Sequence, residues 1–486
     1  MRCRAVDTQL RFDPGLGEAF WKAVQAIPAF PRGEEVRLRR MIFESNALER
    51  LPEILSGAGV QAGAPLLVVM DETSMQRGGD DLKPLALAIV QRAGWSAEAV
   101  VVKPDATGQV HTDFGQIDYV QSRLSPGSAV LSVGSGTITD IAKHACHRFE
   151  QDTGALIPLV VYQTANSVSA YTSNMAPTFV DGVKRTLSSR YPDALVCDLE
   201  TLRDAPYAMT AAGVGDLLAA GVSFADWYLA YSLGLDDAYT PLAETLMGPL
   251  SETLLYLAEQ VRARDLQAMA VLAKLIALAG LSMSLSHATT PLSGFEHVIS
   301  HVLDMTAEAA PRPLAMHGAQ VALAAVRVAA SYEVFLRELN PTAIRWEACF
   351  PEAAVMRSGV ADVFASIDPT GRVAEECWRD FAIKLEAWQG RRADLSACLA
   401  DWPGIRGELT RRVWPVRTLR RIIRSVGLPE KFEDLVPPIA EVQARQAFLS
   451  AHWIRRRFTL GDSLFFLGWD RQALWDRAAS SASAPE

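Results

Sequence analysis

The sequence lacks any closely paired cysteines. Its six cysteines are scattered, and none belongs to a Cys-x-x-Cys pair. This spacing excludes a disulfide framework or a zinc ribbon as the organising feature and is typical of reduced core residues in an intracellular protein. An excess of basic charge is also missing, because the formal net charge is −9 at pH 7. We therefore expect no nucleic-acid partner recruited by a basic surface.

Long apolar runs are scarce as well. The opening residues, MRCRAVDTQLRFD, contain no apolar segment of the kind found in signal peptides. The apolar run near 275–285 is shorter than a bilayer-spanning helix and contains serine. We therefore expect a cytoplasmic protein without membrane insertion. The 486 residues, 49% of them hydrophobic, predict two or three domains with sizeable cores.

The first 200 residues alternate between apolar runs and helical patterns. The apolar runs lie at 65–71, 99–103, 130–133 and 156–162. The helical patterns lie at 46–55, 82–94 and 115–124. Continuous apolar runs of this length are typical of buried parallel strands. The alternation predicts a doubly wound parallel sheet, with ligands at the carboxyl ends of its strands.

The pattern becomes helical almost throughout after residue 200. Long segments at 242–262 and 266–286 carry apolar residues every three or four positions. We therefore predict an α/β domain over 1–200 and an all-helical domain over 201–486. The basic, amphipathic run at 411–424 is interpreted as a solvated helix face, with binding to an anionic partner as the alternative. The Ser/Ala/Pro tail after Arg477 predicts disorder.

A glycine-containing turn follows the third apolar run. The segment AVLSVGSGTITDIAK at 129–143 predicts a strand, a turn at Gly134-Ser135-Gly136 and then a helix. Such a turn directs backbone N–H groups and the positive end of a helix at an anion, and glycine permits close approach. Because Gly-x-Gly turns between a strand and a helix also occur in purely structural roles, the turn alone leaves two interpretations open, a phosphate site and a structural turn.

Three polar residues of the helical half form a candidate metal site. Asp216, His297 and His317 supply one carboxylate and two imidazoles, which suits a divalent metal with open positions. His301 lies four residues after His297 and therefore shares its helix face. Each histidine taken singly could instead be an ordinary core or surface residue.

Five motifs of the chain occur in an order that resembles a known family. They are GSGTITDIAK from Gly134, AGVGD from Ala212 followed by Asp226-Trp227, SGFEHVISH from Ser293, HGAQV from His317 and IRRRFT from Ile454. Together they resemble the sn-glycerol-1-phosphate dehydrogenase family. That family belongs to the superfamily of iron-type alcohol dehydrogenases, glycerol dehydrogenases and dehydroquinate synthases.

The resemblance implies a dehydroquinate synthase-like fold and assigns roles to individual residues. Gly134, Ser135, Gly136 and Thr137 would cradle the pyrophosphate of NAD or NADP. The other implied cofactor contacts are Asp71 near the ribose, Asp140, Thr164, Ser167 and Tyr171. The implied catalytic residues are Asp216, His297 and His317, which would hold zinc, nickel or iron, together with His301 as a substrate contact, a residue that supports the metal ligands or a packing residue. A divalent ion lowers the pKa of a bound hydroxyl, which favours hydride transfer to nicotinamide.

Two positions depart from the family pattern. The family reads TAPSMDGY where this chain reads TANSVSAY, so Ser169 replaces an aspartate at a substrate position. Ala220 stands where the family tends to carry lysine. Since serine and alanine carry no charge, the substrate could differ from that of the family.

We therefore expect an NAD(P)-linked, metal-dependent oxidoreductase that interconverts a small hydroxy compound and its ketone. The default pair is sn-glycerol 1-phosphate and dihydroxyacetone phosphate, and another phosphorylated or polyhydroxylated compound is the alternative. A dehydroquinate-synthase-like cyclase that recycles NAD, and a binding protein without turnover, are further alternatives. The resemblance also implies a homo-oligomer, a dimer or larger.

Overall fold

The computed structural model describes residues 10–61 and 63–483, which form two compact units. The first unit contains the described chain up to Val180, Lys184–Val214 and Thr245–His287. The second contains Asp181–Val183, Gly215–Glu244 and the described chain from Ala288 onward. The domain division at residue 200 stays a prediction, and the segment Thr245–His287 beyond it belongs to the first compact unit.

The strands lie between residues 40 and 198. In chain order they are β1 (Arg40–Glu44), β2 (Pro65–Asp71), β3 (Gln76–Arg77), β4 (Asp80–Asp81), β5 (Ser96–Val102), β6 (Ala129–Gly134), β7 (Leu159–Gln163), β8 (Met175–Val180), β9 (Val183–Ser188) and β10 (Ala194–Asp198). Six of them form one parallel sheet in the order β1-β10-β7-β6-β2-β5. The predicted α/β region with a parallel sheet is confirmed.

The central strands are apolar because both of their faces are covered. Every residue of β6, β7 and β10 is buried, which explains why their sequences are predominantly apolar. Strand β2 lies between β5 and β6, so the chain continues to one side of β2 and then to the other. The carboxyl ends of β2 and β6 therefore flank the point at which strand order reverses, where ligands bind in open parallel sheets.

Helices make up most of the remaining chain. Those up to the middle of the chain are α1 (Glu18–Gln25), α2 (Leu51–Gly57), α3 (Leu82–Arg92), α4 (Phe114–Gln121), α5 (Gly136–Thr153), α6 (Leu199–Asp204), α7 (Tyr207–Leu217), α8 (Ala220–Ser232), α9 (Leu242–Met247), α10 (Leu250–Arg262) and α11 (Leu266–Leu285). The later ones are α12 (Phe295–Ala309), α13 (His317–Glu338), α14 (Ala353–Phe364), α15 (Arg372–Gly390), α16 (Leu395–Cys398), α17 (Trp402–Arg412), α18 (Val416–Val426), α19 (Glu441–Ser450), α20 (Leu460–Phe466) and α21 (Arg471–Ser483). The predicted helical C-terminal region is confirmed.

Several local predictions were wrong. The single helix expected over 242–262 is interrupted, because Gly248 has a φ of 57° and Pro249 lacks a backbone N–H. Strands β1 and β10 were not predicted, although they are paired with each other in the main sheet. The tail after Arg477, predicted to be disordered, continues α21 as far as Ser483.

Three helical segments are long and apolar enough to cross a membrane by length and composition. They are Tyr207–Ser232, Leu266–Leu285 and His317–Glu338, and 83%, 83% and 89% of their most apolar windows are buried within the protein. This revises the expectation that the apolar run near 275–285 is too short, since its helix has 20 residues. Burial in the protein accounts for the apolar composition.

The cysteines that lie among the described residues form no disulfide. Cys146, Cys197, Cys349 and Cys377 are buried and Cys398 is half-buried, whereas Cys3 lies outside the described residues. Burial raises the pKa of Cys146 to about 12. The four buried cysteines therefore pack as small core residues.

Candidate active site

The glycine turn predicted as a phosphate cradle joins β6 to α5. A Cβ atom at Gly134 would lie 2.5 Å from Cβ of Ile138, and one at Gly136 would lie 2.3 Å from Cγ2 of Val168. Only glycine fits these two positions. Ser135 precedes the helix in an extended conformation, and its side chain makes no capping hydrogen bond. The first turn of α5, which includes half-buried Thr137, thus presents N–H groups suited to an anion.

The segment after β7 lies beside this turn. The backbone N–H of Thr164 donates to the carbonyl of Gly134 at 3.2 Å. The buried Oγ1 of Thr164 has no hydrogen-bond partner among the described residues. Burying an unsatisfied hydroxyl is energetically unfavourable unless a ligand supplies the missing partner. The turn and Thr164 therefore fit the phosphates of a dinucleotide.

The hydroxyl of Tyr171, in the same segment, contacts the protein interior. It donates to the carbonyl of Ala165 at 2.7 Å and lies 2.9 Å from Oγ of Ser167. Burial raises the pKa of Tyr171, so its hydroxyl stays neutral. The cofactor contacts predicted for Ser167 and Tyr171 stay predictions, and the contacts present hold the loop in shape.

Asp140 and Asp71, both predicted near the cofactor, each pair with a buried lysine. The carboxylate of Asp140 lies 2.9 Å from Nζ of Lys143, and that of Asp71 contacts Nζ of Lys83. Burial raises the pKa of Asp140 to about 6, although the ammonium group of Lys143 opposes the shift. Their cofactor roles stay predictions. Neither lysine was assigned a role from the sequence.

The three candidate metal ligands come together in space. Asp216 lies near the end of α7, His297 in the first turn of α12, and His317 is the first residue of α13. Oδ1 of Asp216 is 3.3 Å from Nε2 of His297 and 4.0 Å from Nε2 of His317. One potential ligand atom from each residue lies within 4.8 Å of the others. One carboxylate and two imidazoles at this separation fit a divalent transition metal.

Glu296 and Ser300 contact the Nδ1 atoms of the two imidazoles and thereby orient the rings. Nδ1 of His297 is 2.9 Å from Oε1 of Glu296, which also accepts the backbone N–H of Gly294 at 2.7 Å. Nδ1 of His317 is 3.1 Å from Oγ of Ser300. Such partners fix the ring orientation of a histidine ligand and direct its other nitrogen to the metal. Burial opposes protonation of His297, but Asp216 and Glu296 outweigh it and raise the pKa of His297.

Asp226, from the quoted Asp-Trp motif, holds the start of α12 instead of approaching the ligands. Its Oδ2 accepts the backbone N–H of Phe295 at 2.7 Å, and its Oδ1 accepts the hydroxyl of Tyr332 at 2.6 Å and the N–H of Leu460 at 2.9 Å. Burial, with the nearby charge of Glu296, raises the pKa of Asp226 to about 7. This buried carboxylate thereby fixes the helix that carries His297.

His301 lies one helical turn beyond His297 and stacks on His317. The ring centroids of His301 and His317 are 5.8 Å apart, with an angle of 15° between the planes. Nη2 of Arg455 lies 3.1 Å from Nδ1 of His301. Because a guanidinium only donates, Nδ1 accepts, and the proton of the neutral ring lies on Nε2. Neither Arg455 nor the acceptor role of Nδ1 was predicted.

The two positions that depart from the family pattern lie in different units. Ser169 is half-buried and begins a short 3-10 helix, Ser169–Thr172, in the first unit. Ala220 is fully buried at the start of α8, in the second unit.

Comparisons with known proteins identify relatives of this chain. A family profile described as iron-containing alcohol dehydrogenase matches residues 42–206. The glycerol-1-phosphate dehydrogenase (NAD(P)+) of Bacillus subtilis is 31% identical over 400 residues, which cover 81% of this chain and 83% of the relative. The enzyme of the same name from Halalkalibacterium halodurans is 29% identical over 291 residues, covering 59% and 69% of the two chains.

The fold agrees as well. The crystal structure of a probable glycerol dehydrogenase from Sinorhizobium meliloti matches with a TM-score of 0.55 and 18% identity, over 92% of this chain and 98% of that one. This likeness supports the fold alone, whereas the Bacillus subtilis relative is similar in sequence along most of its length. On that evidence the chain is an oxidoreductase that belongs to the glycerol-1-phosphate dehydrogenase family, within the iron-containing alcohol dehydrogenases.

Proposed function

We propose that the protein is a metal-dependent, NAD(P)-linked dehydrogenase that interconverts sn-glycerol 1-phosphate and dihydroxyacetone phosphate. The observation that carries the proposal is the convergence of Asp216, His297 and His317, whose potential ligand atoms lie within 4.8 Å of one another. The substrate and the cofactor are those named for the relatives from Bacillus subtilis and Halalkalibacterium halodurans.

Each group of the site has a role in this proposal. Asp216, His297 and His317 would hold one divalent ion, with zinc the first choice and nickel or iron the alternatives. When bound, such an ion polarises the oxygen of a substrate hydroxyl or carbonyl. Glu296 and Ser300 keep the two imidazoles oriented, and His301 would donate from Nε2 to a substrate oxygen. In the first unit, Gly134, Ser135, Gly136 and Thr137 would bind the pyrophosphate.

Ser169 bears on the substrate. The polar group at this position cannot carry the charge of the aspartate found in the family pattern. A phosphorylated or polyhydroxylated compound other than dihydroxyacetone phosphate is therefore included among the candidate substrates.

We also propose a cytoplasmic location, because the three helical segments that are long and apolar enough to cross a membrane are largely buried within the protein. We propose a homo-oligomer because the family resemblance implies one.

The test is a reduction assay on protein loaded with zinc. Dihydroxyacetone phosphate is supplied with NADH or NADPH, and the absorbance of the reduced nicotinamide is followed. We expect this absorbance to fall with at least one of the two cofactors. We expect His297→Ala to abolish both turnover and tight zinc binding. His287→Asn is the matched control, since His287 lies outside the cluster with 59% of its side chain exposed, and asparagine tolerates its φ of 50°.

Two results would contradict the proposal. Full zinc binding and turnover in His297→Ala would show that the metal site is wrongly assigned. If no phosphorylated or polyhydroxylated ketone of a panel causes oxidation of NADH or NADPH, the protein is not a dehydrogenase of this kind. Release of phosphate from a sugar phosphate without net change in the cofactor would identify the cyclase alternative instead.

A further inference from the structure

We infer that Gln320 and Ser300 form a hydrogen-bond relay that decides which ring nitrogen of His317 carries the proton. The relay leaves the lone pair on Nε2, the atom that faces Asp216. This inference rests on the metal site of the proposed function and adds positioning residues to it. The two relay side chains, and the Asp304 side chain that contacts Gln320, are each at most 1% exposed, so bulk water does not compete for the hydrogen bonds among them.

The orientation of the Gln320 amide follows from its surroundings. Its Nε2 lies 3.0 Å from Oδ1 of Asp304 and 3.0 Å from the carbonyl oxygen of Ala315. A carboxylate oxygen and a backbone carbonyl both act as acceptors, so the amide must present its NH₂ group to them. The amide oxygen Oε1 is therefore the atom directed at Ser300.

The hydroxyl of Ser300 transmits this polarity. Its Oγ lies 3.3 Å from Oε1 of Gln320 and 3.1 Å from Nδ1 of His317. A serine hydroxyl has one proton, and Oε1 can only accept, so the proton points to Gln320. Towards His317 the serine oxygen can then only accept, which requires a proton on Nδ1.

A neutral imidazole with its proton on Nδ1 has its lone pair on Nε2. In His317 that atom lies 4.0 Å from Oδ1 of Asp216, within the candidate metal site. In His297 the carboxylate of Glu296, 2.9 Å from Nδ1, favours a proton on that atom. In His317 the hydroxyl of Ser300 is the hydrogen-bond partner of Nδ1, and the carboxylate of Asp304, with Oδ2 3.9 Å from Nδ1, favours the same position of the proton.

Replacing either relay residue should weaken metal binding in a distinct way. In Gln320→Met the hydroxyl of Ser300 loses its acceptor and can donate to Nδ1, which favours the tautomer that cannot bind metal through Nε2. We expect the affinity for zinc to fall about 10- to 100-fold. Ser300→Ala removes the misdirected donor as well as the acceptor, so we expect a smaller loss of roughly threefold to tenfold. The double variant should resemble Ser300→Ala, because Gln320 acts through Ser300.

The experiment measures the dissociation constant for zinc by chelator competition in the full chain, with thermal unfolding as the check on folding. Ser331→Ala is the matched control, since Ser331 is buried in α13 but donates to the carbonyl of Arg327 at 2.8 Å. If Gln320→Met binds zinc like the wild type, or if the losses in the double variant multiply, the relay is wrong. If Gln320→Met does not fold, an affinity of Ser300→Ala equal to that of Ser331→Ala overturns the relay.

The same data separate this inference from the proposed function. Wild-type protein without a tight zinc site, or His317→Ala with an intact one, would reject the metal site itself. Tight binding in the wild type that is lost in His317→Ala but unchanged in Gln320→Met would reject only the relay.

Discussion

Lys143 is the buried cation on which the segment after β7 depends. Its side chain is fully buried in α5, with Nζ 2.7 Å from the carbonyl oxygen of Ala170, 3.1 Å from that of Ser173 and 2.7 Å from that of Met175. The carboxylate of Asp140 lies 2.9 Å away. Lys143→Met keeps the length of the side chain but removes every one of these hydrogen bonds.

The expected cost follows from what the substitution leaves behind. Breaking a buried ion pair by removing one partner costs about 3–5 kcal/mol. The low end applies, because burial has already raised the pKa of Asp140 to about 6, and loss of the ammonium raises it further. At neutral pH the acid then takes up a proton instead of remaining as a buried charge. We therefore expect a loss of about 3 kcal/mol, concentrated in the segment that Lys143 holds.

Hydrogen exchange at the amides of 169–175 is the measurement. A loss of about 3 kcal/mol corresponds to exchange roughly 100-fold faster, provided that the segment opens and closes rapidly. Lys103→Met is the control, because its ion pair with Glu72 is 66% and 51% exposed and should contribute little. Exchange within threefold of the wild type in Lys143→Met would refute the reasoning, and Asp140→Asn combined with Lys143→Met should recover part of the loss.

Three further outcomes are expected. The folded protein favours the protonated form of Asp140, whose pKa rises from 3.8 to about 6; the resulting stabilisation is complete below about pH 4 and is lost as the pH rises through about 6. Thermal unfolding of Asp140→Asn should lack this part of the pH dependence, and an unchanged profile would refute it. Gly136→Ala should lower the unfolding temperature because its Cβ would lie 2.3 Å from Val168, and Val168→Ala should restore it; no recovery would show that the crowding lies elsewhere. Zinc should raise the unfolding temperature of chelator-treated wild type but not of His297→Ala, and an equal rise in both would place the ion elsewhere.

Much of the architecture could be predicted from local patterns. The apolar run at 65–71 matches β2 (Pro65–Asp71) because a strand covered on both faces needs apolar residues at every position. The glycine turn was predicted at the correct strand end, since few residues other than glycine fit such a close approach. Strand β1 was not predicted. Four of its five residues are only partly buried, so its sequence is not a continuous apolar run.

The candidate site divides in the same way. Asp216, His297 and His317 could be selected from residue type and motif, because carboxylates and imidazoles are the groups that bind divalent metals. Glu296 stands next to His297 in the sequence, and that adjacency was the one local signal for its role. Arg455, by contrast, lies 154 positions from His301 along the chain, and no pattern in either stretch indicates their contact.

The sequence by itself therefore determines which groups are available and most of the segments that form strands and helices. It does not determine the partners of those groups, as Lys143, Gln320 and Asp226 show. A hydrogen bond depends on the distance and direction between two atoms, and side chains far apart in the chain reach that geometry only when the helices pack. The protonated nitrogen of His317 is accordingly a property of the fold, because it follows from an amide and a hydroxyl placed within 3.3 Å of each other.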